Sequence, residues 1–164
     1  MKMSLYTGIV LSIIWCANFC TTYAQSLQLD TSLFEPYHVD IRKESDEGFL
    51  TTYYEMVNAN DNSRPFEIII TQTSSKLMDS NGVVEGIEKN LKNYLPESRL
   101  NLLKKVEKAN NSRRLYQFYQ KNATILMLMQ ESDGMFTMIE AEFPDDELQK
   151  VPIEKWQDIF WNAK

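Results

Sequence analysis

Three strand-like runs in immediate succession constrain this chain more than any other feature of it. Arg114–Gln120, Ala123–Gln130 and Met135–Phe143 are separated only by Lys121-Asn122 and by Glu131-Ser-Asp-Gly134. Both breaks are short and polar, and the second carries an Asp-Gly pair suited to the positive backbone torsions of a tight hairpin. The spacing therefore predicts an antiparallel three-strand meander. In the middle run Ile125, Met127 and Met129 alternate with Leu126 and Leu128. A strand that is apolar on both sides needs cover above and below the sheet.

Upstream, Tyr37, Val39 and Ile41 alternate with His38, Asp40 and Arg42, the pattern of a half-buried strand; residues 25 to 33 before them read as a lead-in. Lys43–Gly48 reads as a charged turn, Phe49–Met56 as a second strand, and Asn58–Ser63 as a polar loop closed by Pro65. Phe66–Gln72 holds three successive isoleucines, which places it near the centre of the sheet beside the meander. A helix is expected over 83–95, capped from Asp79, Ser80 or Asn81 and stopped by Pro96. Its apolar stripe is Val84, Ile87, Leu91 and Tyr94 or Leu95, while Glu85 with Lys89 and Glu88 with Lys92 lie four apart on the outer side. Arg99–Lys108 alternates imperfectly; Pro96 before it and the turn at Ala109–Ser112 after it favour a strand that hairpins into the meander. At the end of the chain, Pro144-Asp-Asp-Glu147 is a helix-start signal. Pro152 opens a last helix at its first position, with Ile153, Trp156, Ile159, Phe160 and Trp161 on its inner side.

The first 24 residues read as an export signal. Lys2 precedes a mostly apolar run from Leu5 to Phe19, and Thr22-Tyr-Ala24 offers a small residue at the cut. The run is short for a retained anchor, and Trp15 and Phe19 are too bulky before Cys16 and Cys20 for a lipobox. Cleavage after Ala24 leaves residues 25–164 as one domain without cysteine, stabilised by packing alone, and the loss of Lys2 takes the formal net charge from −6 to −7. The expected location is periplasmic or secreted. That acidity disfavours nucleic acid and anionic lipid as partners.

The expected fold class is α+β: an antiparallel sheet covered by helices, an α/β/α sandwich. The order of elements over residues 66–164, namely the strand Phe66–Gln72, the helix Val83–Leu95, the Val106–Tyr116 hairpin, the paired strands Ala123–Phe143 and the Trp156–Trp161 helix, resembles the PsbP-like and DcrB-like group. Asn110-Asn111 departs from it, standing where the group often has a glycine turn. The resemblance implies a non-enzymatic accessory or binding protein and carries over no ligand residue.

His38 is the only histidine and has no cysteine or Gly-x-Ser-x-Gly elbow to serve, so no catalytic residue is assigned and an enzyme is not expected. With one histidine and no mature cysteine, zinc is not expected. Asn58, Asn60, Asp61 and Asn62 offer oxygens without a hand-motif glutamate, and Asp145, Asp146 and Glu147 read as helix-start charge. No metal or cofactor is therefore assigned. The triplets Asn110-Asn-Ser112 and Asn122-Ala-Thr124 read as turns. The aromatics Tyr53, Tyr54, Tyr116, Phe118, Tyr119, Phe136 and Phe143, with Met127, Met129, Met135 and Met138 among them, read mainly as core, with a surplus available for a docking patch. The expected function is an exported binding or accessory protein engaging another protein, an immunity-type inhibitor being one form; the alternative is a small apolar-ligand carrier with a cavity between sheet and helix.

Overall fold

The computed structural model describes residues 27–58, 66–109, 111–120 and 122–164. Seven strands form one sheet: β1 (Tyr37–Asp46), β2 (Phe49–Asn58), β3 (Phe66–Ser74), β4 (Asn101–Lys108), β5 (Asn111–Gln120), β6 (Ala123–Ser132) and β7 (Met135–Pro144). Every pairing is antiparallel, and the spatial order is β1-β2-β3-β7-β6-β5-β4. Among the described residues three α-helices complete an α+β domain: α1 (Ser80–Tyr94) between β3 and β4, then α2 (Asp145–Lys150) and α3 (Ile153–Trp161) at the end. The expected leader at 1–24 and most of the loop that offers Asn60, Asp61 and Asn62 lie outside the described residues.

The meander forms as its sequence dictates. Asp133 at φ 52° and Gly134 at φ 77° make the two-residue turn that pairs Ser132 with Met135. Glu47 (φ 43°) and Gly48 (φ 87°) do the same between β1 and β2. The charged turn expected over Lys43–Gly48 therefore shrinks to two residues, and Lys43–Asp46 pair with Phe49–Thr52. Charge is tolerated there because β1 is an edge strand, exposed along most of its length.

Alternation along the strands sorts the core into two clusters. The larger gathers Tyr54, Met56, Ile68, Ile70, Leu115, Leu126, Leu128, Ile139 and Phe143 with Trp156, Ile159 and Phe160 of α3. On the other side Tyr116, Met127, Met129 and Phe136 meet Val83, Val84 and Ile87 of α1. The middle strand of the meander thus finds apolar partners on both sides. Leu27 and Leu29 are buried in the larger cluster, and Gln28 and Lys164 exchange backbone hydrogen bonds of 2.6 and 3.3 Å. Leu27 and Leu29 of the lead-in are consequently part of the core, and Gln28 between them pairs with the last residue of the chain.

Other boundaries move for local reasons. Asp79 is the cap of α1 and accepts from the amides of Asn81 and Gly82. Tyr94, a candidate for the α1 stripe, is 78% exposed because the buried stripe ends at Leu91. Pro152 takes the cap position of α3 rather than its first turn, since its ψ of 144° is extended. In β4 the register shifts between Leu102 and Lys104, which is why its alternation reads imperfectly, and Leu102, Leu103 and Val106 stay exposed on that edge strand. Asn111 and Ser112, read as turn, are the first residues of β5 and pair with Lys108 and Glu107; Asn110 lies outside the described residues.

Candidate functional site

Helix α1 covers only part of its side of the sheet. Its N-terminus is fixed over the β6–β7 hairpin, where the Ser80 amide donates to Glu131 Oε1 at 2.7 Å, and its apolar stripe lies on Met127, Met129, Phe136 and Tyr116. Residues on the same side at the opposite end of these strands receive no helix. Register places them together: Ile125 stands between Phe118 and Glu142, Ile69 between Tyr53 and Glu140, and Glu67 opposite Glu55. All of these but Tyr53 line an open groove of about 640 Å³, in which Ile69, Ile125 and Phe118 are apolar and Glu55, Glu67, Glu140 and Glu142 acidic.

The charge arrangement is unfavourable for the sheet by itself. Asp40, Glu55 and Glu67 sit directly opposite one another across β1, β2 and β3, a cross-strand row of like charges. None of Glu55, Glu67, Glu140 and Glu142 makes a side-chain hydrogen bond or ion pair among the described residues. Desolvation pushes the Glu140 carboxyl above its ordinary value. A carboxyl raised in this way is a charge the fold carries at a loss. As pH rises through the ordinary carboxylate range the unfolded chain ionises first, so stability falls, and the loss is complete once the folded group has ionised as well. Glu140→Gln is therefore expected to raise stability at neutral pH by about 1 kcal/mol. The gain should vanish below the ordinary carboxylate range, and urea titrations at both pH values measure it.

Of the residues singled out in the sequence, Phe118 lies in the groove and the candidates for chemistry lie elsewhere. His38 and Asp40 approach to 3.5 Å on the exposed β1 edge, each more than two-thirds exposed, and His38 has no hydroxyl partner among the described residues. Asp145 accepts from the Tyr119 hydroxyl at 2.8 Å, and Asp145–Glu147 do open a helix. Glu147, however, is more than helix-start charge: it is buried and accepts from the Tyr37 hydroxyl at 2.8 Å and from Lys150 at 3.1 Å. Among the described residues no group of three or more histidine, cysteine or acidic side chains is arranged to hold a metal. Also among them, no helix is long and apolar enough to cross a membrane. Of the aromatics, Tyr54, Tyr116, Phe136 and Phe143 are buried, whereas Phe118 is half-buried in the groove and Tyr119 is half exposed.

The groove glutamates were missed as a group. Their signal lies in Ile139-Glu-Ala-Glu-Phe143 and Phe66-Glu-Ile68, where acids alternate with buried residues and mark a strand side without cover. Among known proteins, no family model matches the chain and no curated protein matches it. A crystal structure of a Pseudomonas aeruginosa protein of unknown function is similar at a TM-score of 0.38 and 13% identity, over 74% of this chain and 94% of that one.

Proposed function

We propose that this chain is a non-catalytic binding or accessory protein of a bacterial envelope, exported by cleavage after Ala24, which engages another polypeptide on the uncovered half of its sheet. An immunity-type inhibitor is one specific form of that role. The observation that carries the proposal is the groove: apolar Ile69, Ile125 and Phe118 left open beside a helix that covers another part of the same side. Open apolar side chains among polar groups are the surface a protein partner buries. The arrangement of the two core clusters supports an α/β/α sandwich of the PsbP-like and DcrB-like kind, with one layer incomplete where the partner docks. A carrier would need an enclosed apolar cavity between sheet and helix, and the groove is instead open and lined with carboxylates.

The test is co-purification from the native envelope with a photo-crosslinking residue at position 118. A polypeptide should crosslink there, and it should be lost on Ile125→Asp but retained on Lys92→Asp, which changes only the exposed side of α1. Crosslinks confined to lipid or another small molecule, or a polypeptide indifferent to Ile125→Asp, would defeat the proposal.

A further inference from the structure

We infer that the segment docking in this groove is a cationic amphipathic helix, with lysine or arginine one helical turn apart alongside an apolar stripe. This rests on the reading of the groove as a protein-docking face and adds the chemistry of the partner. Glu55 and Glu67 are directly opposed on neighbouring strands, and one step beyond the Ile68–Ala141 pair the register brings Glu142 into line on the next. Neighbouring strands lie about 4.8 Å apart, so these carboxylates repeat at about that spacing across the sheet. Side chains three or four apart on a helix stand about 5–6 Å apart, so cations placed one turn apart can face successive carboxylates.

The apolar side chains fit the same occupant. Ile69, Ile125 and Phe118 are only partly buried; Ile125 and Phe118 face each other on neighbouring strands, and Ile69 lies across β7, with Glu140 and Glu142 between, so the apolar stripe of a helix would rest on the Ile125–Phe118 pair with its cations over the carboxylates beside it. Helix α1 already shows how a helix sits on this side, with Val83, Val84 and Ile87 on the sheet and its charges outward. An incoming helix would lie beside it. Its cations would relieve the repulsion within the acidic row, an interaction the chain does not supply from its own described residues. Complementary charge also excludes acidic partners, because an acidic helix would add to the row rather than neutralise it.

The test uses the purified protein and a fluorescein-labelled two-heptad peptide of leucine and lysine, read by anisotropy, with the same peptide carrying glutamine or glutamate in place of lysine. The lysine peptide should bind more tightly than the glutamine peptide, lose affinity as salt rises, and outcompete the glutamate peptide entirely. Glu67→Gln/Glu142→Gln should weaken the lysine peptide about tenfold, whereas Glu85→Gln/Glu88→Gln on the outer side of α1 should leave it unchanged. Equal loss in the two double variants would mean attraction to bulk charge and would overturn the inference, as would equal affinity for the lysine and glutamine peptides. In that second case, weakening of both peptides by Ile125→Asp would leave the docking face standing without its charge selectivity. Failure of every peptide to bind overturns the cationic-helix inference and leaves the docking face to its crosslinking test. Thermal unfolding of each variant guards against loss of fold, and all these substitutions are at exposed or partly exposed positions.

Discussion

Trp156→Ala should cost about 4 kcal/mol of folding stability, a large share of the roughly 5–15 kcal/mol that holds a domain of this kind together. Trp156 is 1% exposed and is the ring around which the larger cluster closes. Phe34 lies 5.8 Å from it, Tyr37 6.1 Å, Phe66 5.7 Å and Phe143 5.0 Å, centroid to centroid. These four rings come from the 3-10 turn Thr31–Phe34, β1, β3 and β7, so one side chain joins the first and last described elements to the sheet. Removing it leaves a cavity between elements that cannot all move in together, and the cavity adds to the lost transfer energy. Trp161 provides the contrast. It is only partly buried and has Lys104 and Arg113 over its face at 5.8 and 5.6 Å, so Trp161→Ala should cost about 1 kcal/mol. Urea unfolding of the two variants side by side measures the difference. Similar losses would mean that the aromatic cluster does not centre on Trp156.

Trp156 was legible in the sequence because a helical period exposes it: Ile153, Trp156, Ile159 and Phe160 share one side of α3. The meander was legible for a similar reason, since hairpin turns and two-residue alternation are local properties. What local pattern cannot express is where one element stops covering another. Phe66–Ile70 reads as apolar on both sides, yet Ile69 is only partly buried because α1 ends its contact with the sheet before reaching it. The groove is thus a consequence of where α1 lies along the strands, and this depends on the Asp79 cap and the Ser80–Glu131 bond, not on any motif in the strands it leaves bare. His38 is the opposite case. Its side-chain type suggested chemistry, while its position on an edge strand leaves it in solvent beside Asp40. Leu27 and Leu29 read only as lead-in because Gln28 between them pairs with Lys164, and no window along the sequence brings those two residues together.

The same limit hid Glu147, and its removal is the second large effect expected. Glu147 is 3% exposed, and its carboxylate receives the Tyr37 hydroxyl from 110 residues away as well as the Lys150 ammonium one turn on. Glu147→Ala withdraws the acceptor from a buried phenol and should cost about 3 kcal/mol, the upper range for a hydrogen bond to a charged group. Tyr37→Phe leaves the carboxylate with Lys150 and should cost about 2 kcal/mol. Because both substitutions break one interaction, the double variant should lose less than their sum by about 1–2 kcal/mol. Alkaline pH offers an independent reading. Burial, and then the bond to Glu147, hold the Tyr37 hydroxyl well above the ordinary tyrosine value. A group whose folded pKa is raised contributes its full stability below the unfolded value, near pH 10 for tyrosine, and loses it as pH climbs toward the folded value. Stability should therefore decline above about pH 10, and Tyr37→Phe should make that decline shallower. It should not abolish the decline, since burial also raises Tyr54, which remains. An alkaline limb of the same slope in wild type and Tyr37→Phe would show that the phenol is not held by Glu147 in the folded protein.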